Sequence, residues 1–362
     1  MKTRDILIGA IEAEASDIHM TVGRPPTIRV FGSLKTLNDT PLTSSDIMAF
    51  IKDITPDSHL RLLDVQGGSD YSYVLDDTHS FRVSVFKQQT NPSCVLRLIP
   101  PYMLGLGSIG LGDKVEEQLK KQRGLILITG PTGSGKSTTL AAMIDVINST
   151  RECNIITVED PIEYRHHHKK SIVVQREVGE DVPTFDEAII RALRQDPDVI
   201  LVGEMRNYET IEAAIRAAET GHLVMSTLHT TGAVRTVDRI VDVFPPTHRD
   251  EIRVQLAGVL LCVISQQLIP RTDGKGRTAA FEIMFNTPSI SAYIRDNKSY
   301  RITSDLQTGA KFGMTTMDSS LLKLYLAETI SYQDMIDRCY DRDLLHKLLE
   351  DYAGGGKSAS GR

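Results

Sequence analysis

The chain has 362 residues, 41% of them hydrophobic and 24% charged, a balance that excludes a disordered or fibrous protein. Its formal net charge of −6 provides no overall field that would attract nucleic acid, and no apolar run approaches the ~20 residues that cross a bilayer. Because single cores stop growing at roughly 250 to 300 residues, we expect two domains, and the absence of a signal-peptide pattern predicts a cytoplasmic protein.

The first hundred residues predict a small α+β domain. Segment 3–14 has one apolar helical face, and segments 26–30, 80–86 and 94–98 alternate as strands do. Arg82 and Arg97 stand on the last two segments, where by themselves they indicate only surface charge. Prolines 100 and 101 and the glycine-spaced stretch after them punctuate the chain, so we place this domain at 1–99 and a linker at 100–112.

Beyond the linker, helical and strand patterns alternate. Strands are predicted at 124–129, 153–159, 199–202 and 222–227, and helices at 136–148, 184–194, 209–219, 233–241 and 249–261. This alternation favours a mostly parallel sheet covered by helices, with a helical part at 288–352. We therefore place the second domain at 113–352 and a disordered tail, rich in glycine and serine, at 353–362.

The strand at 124–129 leads directly into a phosphate-loop pattern, G-x-x-x-x-G-K-S. The nucleotide-binding residues it predicts are Gly130, Pro131, Thr132, Gly133, Ser134, Gly135, Lys136, Ser137 and Thr138. Between a strand and a helix, such glycines let backbone N–H groups converge on phosphate oxygens. Lys136 would neutralise the β and γ phosphates, and the Ser137 hydroxyl can bind Mg²⁺. The sequence thus predicts ATP as substrate and Mg²⁺ as cofactor.

Acidic residues follow two of the predicted strands. Glu204 ends the apolar run 199–203 at the strand edge where open parallel sheets present catalytic groups, so it can polarise water or hold Mg²⁺. Glu159 and Glu163 belong to an acidic cluster after the strand at 153–159, and either can orient the attacking water. Both positions are therefore predicted to lie beside the phosphates.

His222 and His229 flank the next apolar strand. Histidine combines a hydrogen-bond donor with a switchable charge, which suits either a γ-phosphate sensor or a subunit contact. The three histidines at 166–168 cannot all face one ion, so no metal site is predicted there. The four cysteines lie far apart without a C-x-x-C pair, which predicts neither a zinc module nor a disulfide framework.

Together these blocks resemble the secretion ATPase superfamily of type II secretion and type IV pilus systems, and most closely its pilus retraction ATPases. The resemblance rests on four ordered blocks: 16–26, the Asp box at 156–163, the Walker B segment at 195–206 and the His box at 221–230. The assembly and type II secretion branches usually carry a long N-terminal extension and a paired-cysteine zinc module, and neither pattern is found here. Asn207 stands where the family usually continues with Asp, and segment 289–296 follows the retraction motif A-I-R-N-L-I-R-E loosely.

The resemblance implies a RecA-like P-loop ATPase domain with a smaller, PAS-like α+β domain at its N-terminus, assembled as a homohexamer with ATP between the two domains. Arg82 and Arg97 would act as arginine fingers and Glu163 would position water. Glu204 would act through Mg²⁺, and His229 would sense the γ-phosphate. Glu159 and His222 are also expected beside the nucleotide.

The implied function is ATP hydrolysis that powers pilus retraction and twitching motility. The expected partner is an inner-membrane pilus platform protein, which would hold the ring at the cytoplasmic face of that membrane, and no nucleic acid is expected. A related pilus assembly or type II secretion ATPase remains an alternative. A DNA-dependent RecA-like ATPase would need a basic, aromatic-bearing path, against which the net charge and 6% aromatics count. An ATP-responsive scaffold would not need Glu163 and Glu204.

Overall fold

The structure, a computed structural model, describes residues 2–30, 32–76, 78–99 and 104–355. The chain divides into two compact units, one of Met1–Met103 with Asp160–Arg165 and the other of Leu104–Glu159 with His166–Arg362. The first part of the predicted linker, residues 100–103, lies outside the described residues. Within its remainder a short helix, α4, spans Leu106–Ile109.

In its described residues, the first unit is an antiparallel sheet with three helices. Its strands are β1 (Asp17–Met20), β2 (Thr27–Val30), β3 (Ser33–Thr36), β4 (Gly68–Val74), β5 (Ser80–Gln88) and β6 (Asn91–Ile99), in the order β3-β2-β1-β6-β5-β4. Its helices are α1 (Thr3–Glu12), α2 (Ser44–Ile54) and α3 (Asp57–Gln66). The period of two in β5 buries Phe81, Val83 and Val85 in the core and leaves Arg82 exposed. The sheet therefore presents one face to the helices and a second, more polar face to solvent.

The second unit has a seven-stranded sheet. Its strands are β7 (Gly124–Thr129), β8 (Asn154–Glu159), β9 (Ile172–Glu177), β10 (Val199–Val202), β11 (Leu223–Leu228), β12 (Leu260–Pro270) and β13 (Arg277–Phe285), in the order β13-β12-β7-β11-β10-β8-β9. All neighbours are parallel except β12 and β13. The expected α/β class with a mostly parallel sheet is confirmed.

Helices surround this sheet, so the central strands β7, β10 and β11 are buried along their whole length. The helices are α5 (Asp113–Leu119), α6 (Lys136–Thr150), α7 (Phe185–Ala192), α8 (Tyr208–Glu219), α9 (Ala233–Asp242) and α10 (Arg249–Val259). The predicted helix at 249–261 is two residues too long, because β12 begins at Leu260 and carries the same apolar run into the sheet.

The C-terminal part is helical, as predicted. It consists of α11 (Pro288–Arg295), α12 (Ile302–Thr308), α13 (Met317–Leu326), α14 (Tyr332–Arg338) and α15 (Arg342–Gly355). Helix α15 extends three residues into the segment predicted to be a disordered tail, and residues 356–362 lie outside the described residues. None of the helices in the described part of the chain combines the length and apolarity that a membrane span requires.

Candidate nucleotide-binding site

The phosphate-loop segment connects the carboxyl end of β7 to the first turn of α6, as its pattern predicts. Gly130, Gly133 and Gly135 all have positive φ angles, of 144°, 77° and 90°. A Cβ atom at Gly130 would lie 2.3 Å from the carbonyl oxygen of Gln266 on β12. One at Gly135 would lie 2.9 Å from the side-chain nitrogen of the same glutamine. Backbone conformation and close packing therefore both require glycine at the two ends of the loop.

Polar groups are concentrated inside this loop. Lys136 is only 9% exposed, and its Nζ donates hydrogen bonds to the carbonyl oxygens of Gly130 at 2.9 Å and Pro131 at 3.0 Å. The Ser134 hydroxyl is buried and has no hydrogen-bond partner among the described residues. Ser137, one residue after the lysine, is exposed on the first turn of α6. A buried ammonium group and an unpaired hydroxyl at a helix N-terminus fit a phosphate-binding loop.

Sequence reasoning missed Gln266, which packs against the loop from β12. Its side chain is 3% exposed, and its Oε1 accepts a hydrogen bond from the Thr139 hydroxyl at 2.8 Å. Because β12 runs parallel to β7, with Ser265 opposite Thr129, this glutamine emerges at the sheet edge where the loop begins. The signal in the sequence was the polar run 265–267 inside an apolar stretch.

Glu204 follows β10, one residue beyond Gly203, and its side chain is 14% exposed. Its carboxylate lies 2.6 Å from the Arg206 Nε and 3.6 Å from the His229 Nε2. Strands β7, β11 and β10 are consecutive and parallel, so their carboxyl ends share one edge of the sheet. The fold thus brings Glu204 and His229 to the edge that carries the phosphate loop.

Asn207, the departure from the family pattern, caps α8. Its side-chain oxygen accepts a hydrogen bond from the Thr210 backbone N–H at 3.2 Å. Asparagine and aspartate cap helices almost equally well, so the substitution preserves the local structure that follows Glu204.

The other two acidic candidates have different surroundings. Glu159 ends β8, and its Oε1 accepts hydrogen bonds from the Thr157 hydroxyl at 2.6 Å and the Gln175 side-chain nitrogen at 3.1 Å. Glu163 lies in the short segment that belongs to the first unit, where its Oε1 is 3.4 Å from an Arg82 guanidinium nitrogen. Glu159 is therefore part of a hydrogen-bonded strand end, whereas Glu163 is one partner of an ion pair.

The two arginines of the first unit are direct neighbours. Arg82 on β5 stands opposite Arg97 on β6, and Arg97 stands opposite Asp17 on β1. The Arg97 Nε donates to the Asp17 carboxylate at 2.9 Å, and both arginine side chains remain exposed, at 44% and 69%. Like charges placed opposite each other are destabilising, so Asp17 and Glu163 offset a repulsion that the sheet itself creates. A paired arginine cluster of this kind is suited to binding a polyanion.

His222 lies elsewhere. It precedes β11, its carbonyl oxygen accepts from the Gly124 N–H at the start of β7, and its Nδ1 is 2.9 Å from the Ala217 carbonyl oxygen. The phosphate loop begins at the other end of β7, so within one subunit His222 does not join it. The expected place of His222 beside the nucleotide stays a prediction.

The histidines at 166–168 lie in the loop before β9, and one of them makes a hydrogen bond to its backbone. The Nδ1 of His168 accepts a hydrogen bond from the Val173 N–H at 3.0 Å, and burial lowers the pKa of His166 to about 4. Among the described residues no cluster of three potential metal ligands occurs.

The fold and this site define a RecA-like P-loop ATPase: a parallel sheet, a glycine loop with a buried lysine, and a carboxylate at the neighbouring strand end. Residues 2–330 match the family model described as type II/IV secretion system protein. The chain belongs to that family, as its sequence blocks predicted.

Relatives cover nearly the whole chain. The type IV pilus retraction ATPase PilT of Pseudomonas aeruginosa is 45% identical over 92% of this chain and 97% of its own length. The type IV pilus ATPase PilU of the same organism is 35% identical over 96% of this chain and 92% of its own length. A crystal structure described as the pilus retraction motor PilT with bound ADP superimposes with a TM-score of 0.89 at 45% identity, covering 96% of this chain and 99% of that one. This likeness also confirms the expected fold class.

Proposed function

We propose that this chain is the ATPase motor that retracts type IV pili and so drives twitching motility. The observation that carries the proposal is the 45% identity to a retraction ATPase over 92% of the chain, together with a complete phosphate loop. Identity to PilU, another pilus ATPase, is 35% over a similar span, which favours retraction as the specific role. Loss of retraction in cells that lack the protein is the expected phenotype.

ATP would bind with its phosphates in the loop between β7 and α6. Lys136 would exchange its two carbonyl partners for phosphate oxygens, and the buried Ser134 hydroxyl would gain a partner. Backbone N–H groups of Gly133 and Gly135 at the α6 N-terminus would add to the positive potential there. Pro131, Thr132 and Thr138 complete the proposed loop.

The hydrolytic groups are assigned at the carboxyl edge of the sheet. Ser137 and Glu204 would hold Mg²⁺, which when bound supplies positive charge beside the β and γ phosphates. Glu204 would first leave its ion pair with Arg206. His229, 3.6 Å from the same carboxylate, would report on the γ-phosphate through its ring nitrogen. Glu163 would orient the attacking water, with Glu159 beside it.

Arg82 and Arg97 would contact the phosphates as arginine fingers. Both already stand side by side on one exposed row, each held by a carboxylate, so phosphate oxygens would replace Glu163 and Asp17 as partners. Release of Glu163 from Arg82 at that step would free it for water. The arginines would thus couple nucleotide binding to the release of Glu163, the residue proposed to orient the attacking water.

The proposed assembly is a homohexamer with ATP between domains 1–99 and 113–352, whose relative movement about the linker at 100–112 performs the work. His222 would then contact the nucleotide of a neighbouring subunit. The ring would act on an inner-membrane pilus platform protein at the cytoplasmic face of that membrane, without binding nucleic acid or lipid itself.

The test compares ATP turnover by wild type and Glu204→Ala, with particle mass measured by light scattering in the same samples. A hexamer whose turnover falls at least ~100-fold in the variant supports the motor. A verified hexamer without turnover would favour a scaffold, and stimulation by single-stranded DNA would favour a DNA-dependent ATPase. In cells, deletion of the gene should abolish twitching, the wild-type gene should restore it, and the gene for Glu204→Ala should not. Normal twitching with the variant would contradict the proposal.

A further inference from the structure

One side chain makes hydrogen bonds to the residues on both sides of segment 160–165, which carries Glu163. Gln175 on β9 donates from its Nε2 to the Glu159 carboxylate at 3.1 Å, just before the segment begins. Its Oε1 accepts the backbone N–H of His166 at 2.8 Å, just after the segment ends. The Gln175 amide therefore connects the two ends of the loop that carries Glu163, the proposed water-positioning residue.

The surrounding sheet fixes this amide. Gln175 is opposite Thr157 in the parallel register of β8 and β9, and the Thr157 hydroxyl donates to the same Glu159 oxygen at 2.6 Å. The backbone adds a further hydrogen bond, from the Val178 N–H to the Glu159 carbonyl oxygen at 2.9 Å. The start of the loop is thus held by a rigid strand pair.

A second amide holds the returning limb. Asn148 at the end of α6 is fully buried, donates to the His167 carbonyl oxygen at 2.8 Å and accepts from the Lys169 N–H at 3.1 Å. Asn148 acts beyond the loop, however, and does not reach the Glu159 end. A side chain with both a donor and an acceptor can join the two ends directly, and the Gln175 carboxamide carries both on one planar group.

We propose that Gln175 is a positioning residue for Glu163: it fixes the two ends of segment 160–165 and thereby the path on which the Glu163 carboxylate is presented. The inference rests on the proposed role of Glu163 in water activation. Its consequence is kinetic, because a loosened loop lowers the fraction of time the carboxylate is in place without removing any phosphate contact.

The experiment measures kcat and KM for ATP in the full-length protein for Gln175→Leu, Glu163→Gln and the double variant. We expect Gln175→Leu to lower kcat about tenfold, or about 1.4 kcal/mol of transition-state stabilisation, with KM changed less than about twofold. In the Glu163→Gln background the Gln175→Leu substitution should lower kcat by less than about twofold, since both substitutions act through the Glu163 carboxylate. Val174→Thr, on the exposed neighbouring face of β9, is the matched control and should retain wild-type kinetics.

Gln175→Glu provides an isosteric variant that keeps the acceptor for His166 but places a second carboxyl group beside Glu159. The added carboxylate would repel that of Glu159 instead of donating to it, so this variant should show a kcat deficit similar to that of Gln175→Leu, with KM changed less than about twofold. A loss of nucleotide affinity would raise KM instead, so the split between kcat and KM distinguishes the two roles. The variant also serves if the leucine substitution prevents folding.

The outcomes separate the two proposals. Wild-type kcat for Gln175→Leu with a slow Glu163→Gln overturns the inference and leaves the proposed role of Glu163 intact. Equal losses from Gln175→Leu in both backgrounds overturn it as well, because Gln175 would then act elsewhere. Wild-type turnover by Glu163→Gln overturns the role of Glu163 and the inference with it.

Discussion

Alanine at Gly130 should destabilise the second unit more than alanine at Gly133 in the same loop. Both positions have φ angles that L residues rarely adopt, +144° and +77°, which costs about 1 kcal/mol in either variant. Around Gly133 no atom lies within 4 Å of the added Cβ. At Gly130 the Cβ would lie 2.3 Å from the Gln266 carbonyl oxygen and 2.7 Å from the Ser134 hydroxyl.

A backbone carbonyl cannot rotate away as a side chain can, so β7 and β12 must separate by about 1 Å, an overpacking that costs a further 1 to 3 kcal/mol. Taking about 2 kcal/mol for the difference and about 2 to 4 °C per kcal/mol for a unit of this size, Gly130→Ala should unfold about 4 to 8 °C below Gly133→Ala.

The assay is thermal unfolding without nucleotide, at one scan rate, monitored by circular dichroism. Nucleotide is left out because the open side of the loop at Gly133 is where phosphate would bind, and a change in affinity would shift the midpoint by mass action. Midpoints of the two variants within about 1 °C of each other would refute the steric argument. Such a result would mean that the loop and β12 separate more easily than their packing indicates.

Three further predictions concern the ion pairs and the half-buried His166. Glu204→Gln should lower ATP turnover at least ~100-fold while a fluorescent ATP analogue still binds, because the loop is untouched. Asp17→Asn should leave Arg97 opposite Arg82 without its carboxylate. The free energy of unfolding should then fall by about 1 kcal/mol at low salt and by less at high salt, which a lower unfolding midpoint would report. His166, whose pKa burial lowers to about 4, binds its proton more readily when unfolded, so it stabilises the fold above about pH 6.5 and this contribution is lost as pH falls towards 4. His166→Phe should therefore flatten the fall of the unfolding midpoint over that window.

Each prediction has a matched control. Glu209→Gln changes an exposed glutamate on α8 and should leave turnover intact. Asp64→Asn removes a carboxylate that is 78% exposed and 3.8 Å from Lys87, and its midpoint should not move. His167→Gln removes an exposed histidine and should keep the wild-type pH profile. Unchanged turnover for Glu204→Gln, a salt-independent effect of Asp17→Asn, or a wild-type pH profile for His166→Phe would contradict the respective argument.

The second domain was predictable because its signals are local. A strand, a glycine loop and a helix follow one another without a break, and alternating apolar segments require a covered parallel sheet. The pattern fails where the period is ambiguous: the apolar run that ends α10 continues into β12, and periodicity cannot mark the residue at which a helix becomes a strand. Strands β9, β12 and β13 were missed: β9 and β13 lie at the edges of the sheet and mix polar with apolar residues, and β12 follows α10 without a break.

The chain by itself determined the class of protein, because a phosphate loop needs its glycines, lysine and serine in fixed sequence and those residues are contiguous. Only the tertiary structure decided which distant residues serve that loop. The contact of Gln266 with the loop, the pairing of Arg82 with Arg97, and the reach of Gln175 from Glu159 to His166 all depend on strand order and register. Register is set by how whole elements pack, so no local pattern along the chain records it.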